Sequence, residues 1–339
     1  MKKIAIFDTA LGSSNAGDEI IFDAVKRNMK EVFEANFSLR LATHVNNFSM
    51  KQMLHRNSKI RYFQEADWKF ICGTNLLAQT RLGKINSQWQ LYPSNLTIYK
   101  NCILIGAGTT EPTEKPDLYA RMLYKKVLSR EYIHSVRDDL SKKIVESLGC
   151  RAVNTGCPTL WELTKEHCSA IPTGKANHCI VSVSGYSRQT DPRRDAAMLR
   201  IVRRNYDKVW AWIQTTEDEG YLDALEVSSG EEPLPRIYSI GAFRRILCGG
   251  NIDYVGTRLH GGIFALHNYC RSIVIGIDHR ADGFFATNNL PVLPRRNVES
   301  ELEERINSRF ETDIAIDTEA IALFKSQFTG SEQSIYECK

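Results

Sequence analysis

The sequence predicts an α/β protein built as two doubly wound Rossmann-like domains facing a cleft. Three observations predict it. Short apolar strands alternate with amphipathic helices from the first residues onward, the pattern of a parallel sheet covered on both faces. A length of 339 residues corresponds to about two domains at ~150 residues each. The alternation lapses once, over residues 165–175, and then begins again, so the two series are separate.

In the first series, residues 4–7 read as a strand and 18–34 as a helix. Residues 67–72 and 102–105 are apolar strands that run into glycine-containing turns. A helix over 118–128, a strand over 132–136 and a helix over 139–148 complete the series. In the second series the strands are 179–183, 209–213, 253–256 and 273–277. The helices are 196–205, 240–247 and 263–269, followed by 298–310 and 318–328. The domains are therefore 1–165, 175–310 and a helical tail, 311–339.

Composition narrows the function classes. Hydrophobic residues make up 42% and charged residues 25%, the balance of a soluble globular protein. The apolar runs, such as 272–277, fall far short of the roughly 20 residues that span a bilayer. The apolar stretch behind Lys2-Lys3 ends at Asp8, too short for a secretory signal. Nine scattered cysteines form no Cys-x-x-Cys pair, so no zinc site is expected and free thiols in a reducing cytoplasm are. The net charge is +4, too small to indicate a nucleic-acid partner. Basic residues do cluster over 188–204, at Arg244-Arg245 and at Arg295-Arg296. They form either a solvated face or a rim that attracts an anionic substrate.

In such sheets ligands sit outside the carboxyl ends of the strands, so the residues that follow each strand are the candidates. After the first strand comes Asn15-Ala16-Gly17-Asp18. Gly17 allows a tight turn, and Asp18 either caps the next helix or takes part in binding. Asn75 follows the third strand in Gly73-Thr74-Asn75. Arg137 follows residues 132–136, and its planar fork suits a carboxylate or phosphate, or else pairs with Asp138 or Asp139. The densest segment is Arg258-Leu259-His260-Gly261. Fixed positive charge, a group titrating near neutrality and a helix start fall within four residues there. Arg280 stands after the strand 273–277. Trp89, in a loop-like stretch, is a candidate stacking platform for a sugar, whereas Trp210 and Trp212 alternate on a strand and read as core.

These segments resemble the polysaccharide pyruvyl transferase family. The resemblance rests on Asn15-Ala16-Gly17-Asp18-Glu19, Gly73-Thr74-Asn75, Val136-Arg137-Asp138-Asp139-Leu140-Ser141, and Arg258-Leu259-His260-Gly261 with its preceding Asp253. It spans roughly residues 4 to 285. Gly156-Cys157-Pro158 stands where the family usually has Asp-Pro. The resemblance implies a fold like that of GT-B glycosyltransferases, with the tail helix returning to the first domain. It implies phosphoenolpyruvate as the donor and a pyruvate ketal on two hydroxyls of one sugar as the product, with no cofactor and no metal.

On that reading His260 and Arg137 are catalytic. Arg258, Leu259, Gly261, Arg280, Asn15, Gly17, Asp18 and Asn75 bind substrate, with the acceptor on the first domain and the donor on the second. The partners are phosphoenolpyruvate and a saccharide or lipid-linked saccharide. The protein would be cytoplasmic, and a lipid-linked acceptor would bring it to the inner face of the membrane or to a polysaccharide assembly complex. Two rival readings are a nucleotide-sugar-dependent GT-B glycosyltransferase and a non-catalytic saccharide-binding member of the family.

Overall fold

A computed structural model describes residues 1–45, 48–54, 58–77, 88–109, 116–277 and 287–329. The chain divides into two compact units. The first comprises Met1–Ser13, Ile21–Trp161 and the chain from Asp317, and the second comprises Ser14–Ile20 and Glu162–Ile316.

The first unit holds strands β1 (Lys3–Asp8), β2 (Phe37–Ala42), β3 (Trp68–Cys72) and β4 (Cys102–Ile105), ordered β2-β1-β3-β4 with every pairing parallel. Strands β5 (His134–Val136) and β6 (Ala152–Asn154) pair in parallel, and a bridge from Ala107 to Val136 links β5 to the end of β4. β3 and β4 are buried at every position, as their sequences, apolar but for Lys69, require of strands covered on both faces. β2 is a half-exposed edge. Its mixed sequence, Phe-Ser-Leu-Arg-Leu-Ala, is why the pattern reading passes over it.

The helix expected over 18–34 is two helices, α1 (Ala16–Asn28) and α2 (Lys30–Glu34), and α1 begins two residues early. α3 (Met50–Leu54), α4 (Ser58–Glu65), α5 (Leu96–Tyr99), α6 (Leu118–Val127) and α7 (Asp139–Ser147) follow. Two cores form. One gathers Phe7, Phe63, Trp89, Tyr99 and Tyr124, and the other gathers Ile4, Phe22, Trp68 and Phe70.

The second unit is a six-stranded parallel sheet of β7 (His178–Ser182), β8 (Lys208–Trp212), β9 (Arg236–Ile237), β10 (Ile252–Gly256), β11 (Ser272–Gly276) and β12 (Val292–Pro294). The spatial order is β12-β11-β10-β7-β8-β9. α8 (Lys165–Ser169) precedes the sheet. Its covering helices are α9 (Pro192–Asn205), α10 (Thr216–Ser229), α11 (Ile240–Leu247), α12 (Leu259–His267) and α13 (Val298–Asn307). The chain runs outward from β7 to β8 and β9, then returns to β10 on the other side of β7. That reversal makes a switch point between the carboxyl ends of β7 and β10. In the first unit the same reversal falls between β1 and β3.

The last helix, α14 (Thr318–Ser326), is counted with the first unit. Phe328, just beyond it, meets Phe70 edge-on at 4.9 Å and stacks on Tyr132 at 5.7 Å. Among the described residues no helix is long and apolar enough to cross a membrane.

Candidate functional site

In the first unit the ends of three strands meet around Arg137. Gly73 and Thr74 both have positive φ, 70° and 55°. The chain therefore turns sharply after β3, at a cost that a threonine bears only where the surroundings fix it. The turn is tied to the end of β4 by Gly73 N–H to Ile105 O at 2.7 Å and Gly108 N–H to Thr74 O at 2.8 Å. Arg137 follows β5 directly, and its backbone N–H donates to Ala107 O at 3.1 Å. Its Nη2 donates to Asn75 Oδ1 at 2.5 Å and to Thr109 O at 3.1 Å. Its Nε faces Asp138 at 3.4 Å, with Asp138 more than a third exposed. Arg137 and Asn75, expected separately from the sequence, are thus one cluster, and the local pair with Asp138 is present beside it.

In the second unit the site lies at the switch point. Arg258 follows β10 and sits at the N-terminal boundary of α12, so His260 lies in the first turn of that helix. The helix begins at Leu259, at the helix start expected within Arg258–Gly261 and four residues before the apolar run 263–269. Arg258 Nε donates to Asp218 Oδ2 at 2.8 Å, and Nη2 donates to Asp218 Oδ1 and, at 3.0 Å, to Thr215 Oγ1. The guanidinium lies 4.5 Å over the ring of Tyr186. Burial pushes the Tyr186 phenol above its ordinary range, partly offset by Arg258.

Asp218 is the hub. Besides Arg258 it accepts the backbone N–H groups of Gly185 at 2.9 Å and of Gln214 and Thr215 at 3.2 Å each. It also closes a capping box with Thr215 at the start of α10. One carboxylate therefore joins the ends of β7, β8 and β10. The backbone at Arg258 is fixed as well. Its N–H donates to Ser182 Oγ at 3.2 Å, and its C=O accepts from Tyr254 OH at 2.7 Å. A Cβ on Gly261 would lie 2.7 Å from that same Tyr254 oxygen, so packing alone requires a glycine there.

The segment Asn15–Asp18 belongs to this second unit. Ala16 N–H donates to Gln214 O at 3.0 Å, and Gln214 Nε2 donates to Asn15 Oδ1 at 2.9 Å. Asn15 Oδ1 also takes the Gly17 N–H at 2.9 Å. Asn15 therefore does the capping that the sequence suggested for Asp18, which sits buried in the first turn. Arg280 lies outside the described residues.

The remaining candidates are Trp89, Asp253 and the basic runs. Trp89 is a core residue, 1% exposed, stacked on Tyr124 at 5.7 Å and edge-on to Tyr99 at 5.9 Å. It presents no platform to a sugar. Asp253 pairs with Arg271 and accepts from Tyr206 OH at 2.7 Å near the start of β10, away from the strand ends. Half of the basic runs is paired: Arg193 with Glu299, Arg194 with Asp191, Arg203 with Glu226, Arg204 with Glu303 and Arg295 with Asp195.

The sequence reading missed Asp218, Gln214 and Tyr186. Thr215-x-x-Asp218 directly after a strand is a capping signature, and it was the available signal.

Among the described residues no group of three or more His, Cys, Asp or Glu side chains is arranged to hold a metal. A cavity of about 480 Å³ opens at the amino end of the second sheet, lined by Lys175, Cys248, His267 and Tyr269 among others.

The family model described as polysaccharide pyruvyl transferase matches residues 15–279. No curated protein matches the chain. Among solved structures, S. aureus MnaA with UDP is 11% identical, with 96% of this chain and 91% of that one covered and a TM-score of 0.52. A Methanocaldococcus jannaschii UDP-GlcNAc 2-epimerase in complex with UDP-GlcNAc and UDP is 10% identical, with 94% and 97% covered and a TM-score of 0.53. At these identities the likeness concerns the fold alone, which is the GT-B-like α/β class read from the sequence.

Proposed function

This chain belongs to the polysaccharide pyruvyl transferase family, and on that premise we propose that it transfers the pyruvyl group of phosphoenolpyruvate to a saccharide. The group closes as a ketal across two hydroxyls of one sugar. The observation that carries this reading is the turn Arg258-Leu259-His260 at the switch point of the second sheet. It joins a buried guanidinium of fixed orientation to an imidazole in the first turn of a helix.

The reaction asks for those groups. The C=C electron pair of phosphoenolpyruvate takes a proton at the methylene carbon. The neighbouring carbon becomes oxocarbenium-like and bonds to the first hydroxyl oxygen, which loses its proton. The second hydroxyl then displaces phosphate. The C–O bond breaks with its electron pair on phosphate, and the second hydroxyl proton is released. Two hydroxyl protons leave, one enters the methyl group and one stays with phosphate. His260 is the proton carrier in this scheme, a role that contributes about 10²–10⁴-fold.

Arg137 offers a planar fork to a carboxylate or phosphate. Arg258 commits Nε and Nη2 to Asp218, which leaves its Nη1 edge for the developing charge. The backbone N–H groups of Leu259 and Gly261, at the positive end of α12, favour an anion there. Arg280 is proposed as a further anion-binding residue on sequence grounds. Asn15, Gly17, Asp18 and Asn75 are proposed for saccharide binding. The scheme uses phosphoenolpyruvate as a substrate and calls on no cofactor.

The test is phosphate release from phosphoenolpyruvate with a panel of oligosaccharide and lipid-linked acceptors. Wild type should release phosphate only with acceptor, and His260→Ala should lose about 10²–10⁴-fold of that rate. If no acceptor supports release and phosphoenolpyruvate does not raise the melting temperature, the donor assignment fails. Label uptake from a UDP-sugar would then favour the glycosyltransferase reading.

A further inference from the structure

The amide of Gln214, at the end of β8, is 6% exposed. Its backbone is fully engaged: the N–H with Asp218 Oδ2 at 3.2 Å, the C=O with Ala16 N–H at 3.0 Å. Its side-chain Nε2 donates to Asn15 Oδ1, an oxygen already fixed as an acceptor by the Gly17 N–H. That contact decides which end of the amide is nitrogen. The other end, Oε1, is buried and accepts no hydrogen bond. Beside it runs the first turn of α1. A Cβ at Gly17 would stand 2.8 Å from Gln214 Nε2, so the turn presents bare backbone to the amide. At the end of β10, the hydroxyl of Thr257, 4% exposed, is unpaired in the same way.

A buried, unpaired oxygen carries a free-energy penalty that a bound donor removes. The chemistry of the oxygen selects that donor. An amide oxygen only accepts, and so do a carboxylate and a fully ionised phosphate. Fully ionised phosphoenolpyruvate therefore cannot pair with Gln214 Oε1, whereas a hydroxyl can. We propose that Gln214 Oε1 accepts a hydrogen bond from a saccharide hydroxyl, so that the first turn of α1 and the end of β8 form a sugar subsite on the second unit. The proposal rests on the pyruvyl-transfer reading only for calling that sugar the acceptor.

The experiment uses the full chain and a panel of methyl hexopyranosides that differ in hydroxyl orientation, titrated by calorimetry or saturation-transfer NMR. At least one should bind wild type. Gln214→Met, similar in length but without an acceptor oxygen, should bind it at least tenfold more weakly. The matching deoxy glycoside should lose a similar factor on wild type and little more on Gln214→Met, the non-additivity expected of one shared bond. If the Met variant does not fold, Gln214→Asn, one methylene shorter, gives the same readout. Absence of glycoside binding to wild type overturns the proposal, as does equal binding to the variant. The melting-temperature shift with phosphoenolpyruvate is read on the same samples. Its absence from wild type fails the donor reading and leaves the sugar subsite standing.

Discussion

Arg137 in the first unit and Arg258 in the second are equally buried, each 5% exposed, yet they are held in different ways. Arg137 meets an amide oxygen, a carbonyl oxygen and, at 3.4 Å, a carboxylate that reaches solvent. Arg258 meets a fully buried carboxylate through two nitrogens. Among the described residues, the first arrangement fixes a guanidinium mainly through neutral oxygens. The second pairs the guanidinium with that carboxylate through Nε and Nη2 and ties strand ends together. An arginine after a strand is thus not one device. Its counter-ion decides which it is, and for Arg258 that counter-ion comes from 40 residues away.

The largest expected effect breaks the second arrangement. Arg258→Gln strands the Asp218 carboxylate in the interior and should cost about 3–5 kcal/mol in urea unfolding. Arg137→Gln leaves neutral acceptors short of a donor and should cost about 1–3 kcal/mol. Equal costs would mean that the two arginines are held alike after all.

Acid adds a property of the first unit. His134 is fully buried: Leu104 N–H donates to its Nδ1 at 3.1 Å, and its Nε2 lies 2.8 Å from Ser129 O. Burial lowers its pKa from 6.5 to about 4. The unfolded chain takes up a proton near pH 6.5 and the folded chain does not until about pH 4. Stability is therefore full above 6.5 and falls through that window, by roughly 3 kcal/mol at 1.36 kcal/mol per unit. Hydrogen exchange in β4 and β5 at pH 7 and pH 4.5 measures it, and His134→Asn should flatten the slope.

Gly17→Ala, which pushes a methyl into Gln214 and Asn15, should cost about 1–3 kcal/mol. It should leave hydrogen exchange in the first unit's strands unchanged. The smallest effect is on binding: Arg137→Gln should weaken phosphoenolpyruvate about tenfold, roughly 1.4 kcal/mol. No change in that affinity would remove Arg137 from the donor's partners.

The strands β3 and β4 were legible because they are almost wholly apolar and buried on both faces, as at Phe70–Cys72 and Cys102–Ile105. It hid β2, an edge whose side chains are half wet, and α10. The latter opens on Glu217, Asp218 and Glu219 and looks like a solvated acidic run. Asp218 was lost with it. No local pattern separates a surface acid from one that accepts five hydrogen bonds. Trp89 was misread for the converse reason: its neighbours in sequence are polar, but its neighbours in space are Tyr99 and Tyr124. The strand-end residues themselves, Arg137, Asn75, Arg258 and His260, were legible because chain reversal at a parallel sheet dictates where they fall.

The packing of Phe324 and Phe328 against Trp68, Phe70 and Trp161 has a consequence for how the protein is made. The first unit is begun at Met1 but lacks these two rings until the ribosome has passed residue 328. Every residue of the second unit has been translated by then. On the ribosome, the half that starts first is the one that finishes last, and its exposed aromatic surface is the part of the nascent chain that a chaperone would meet.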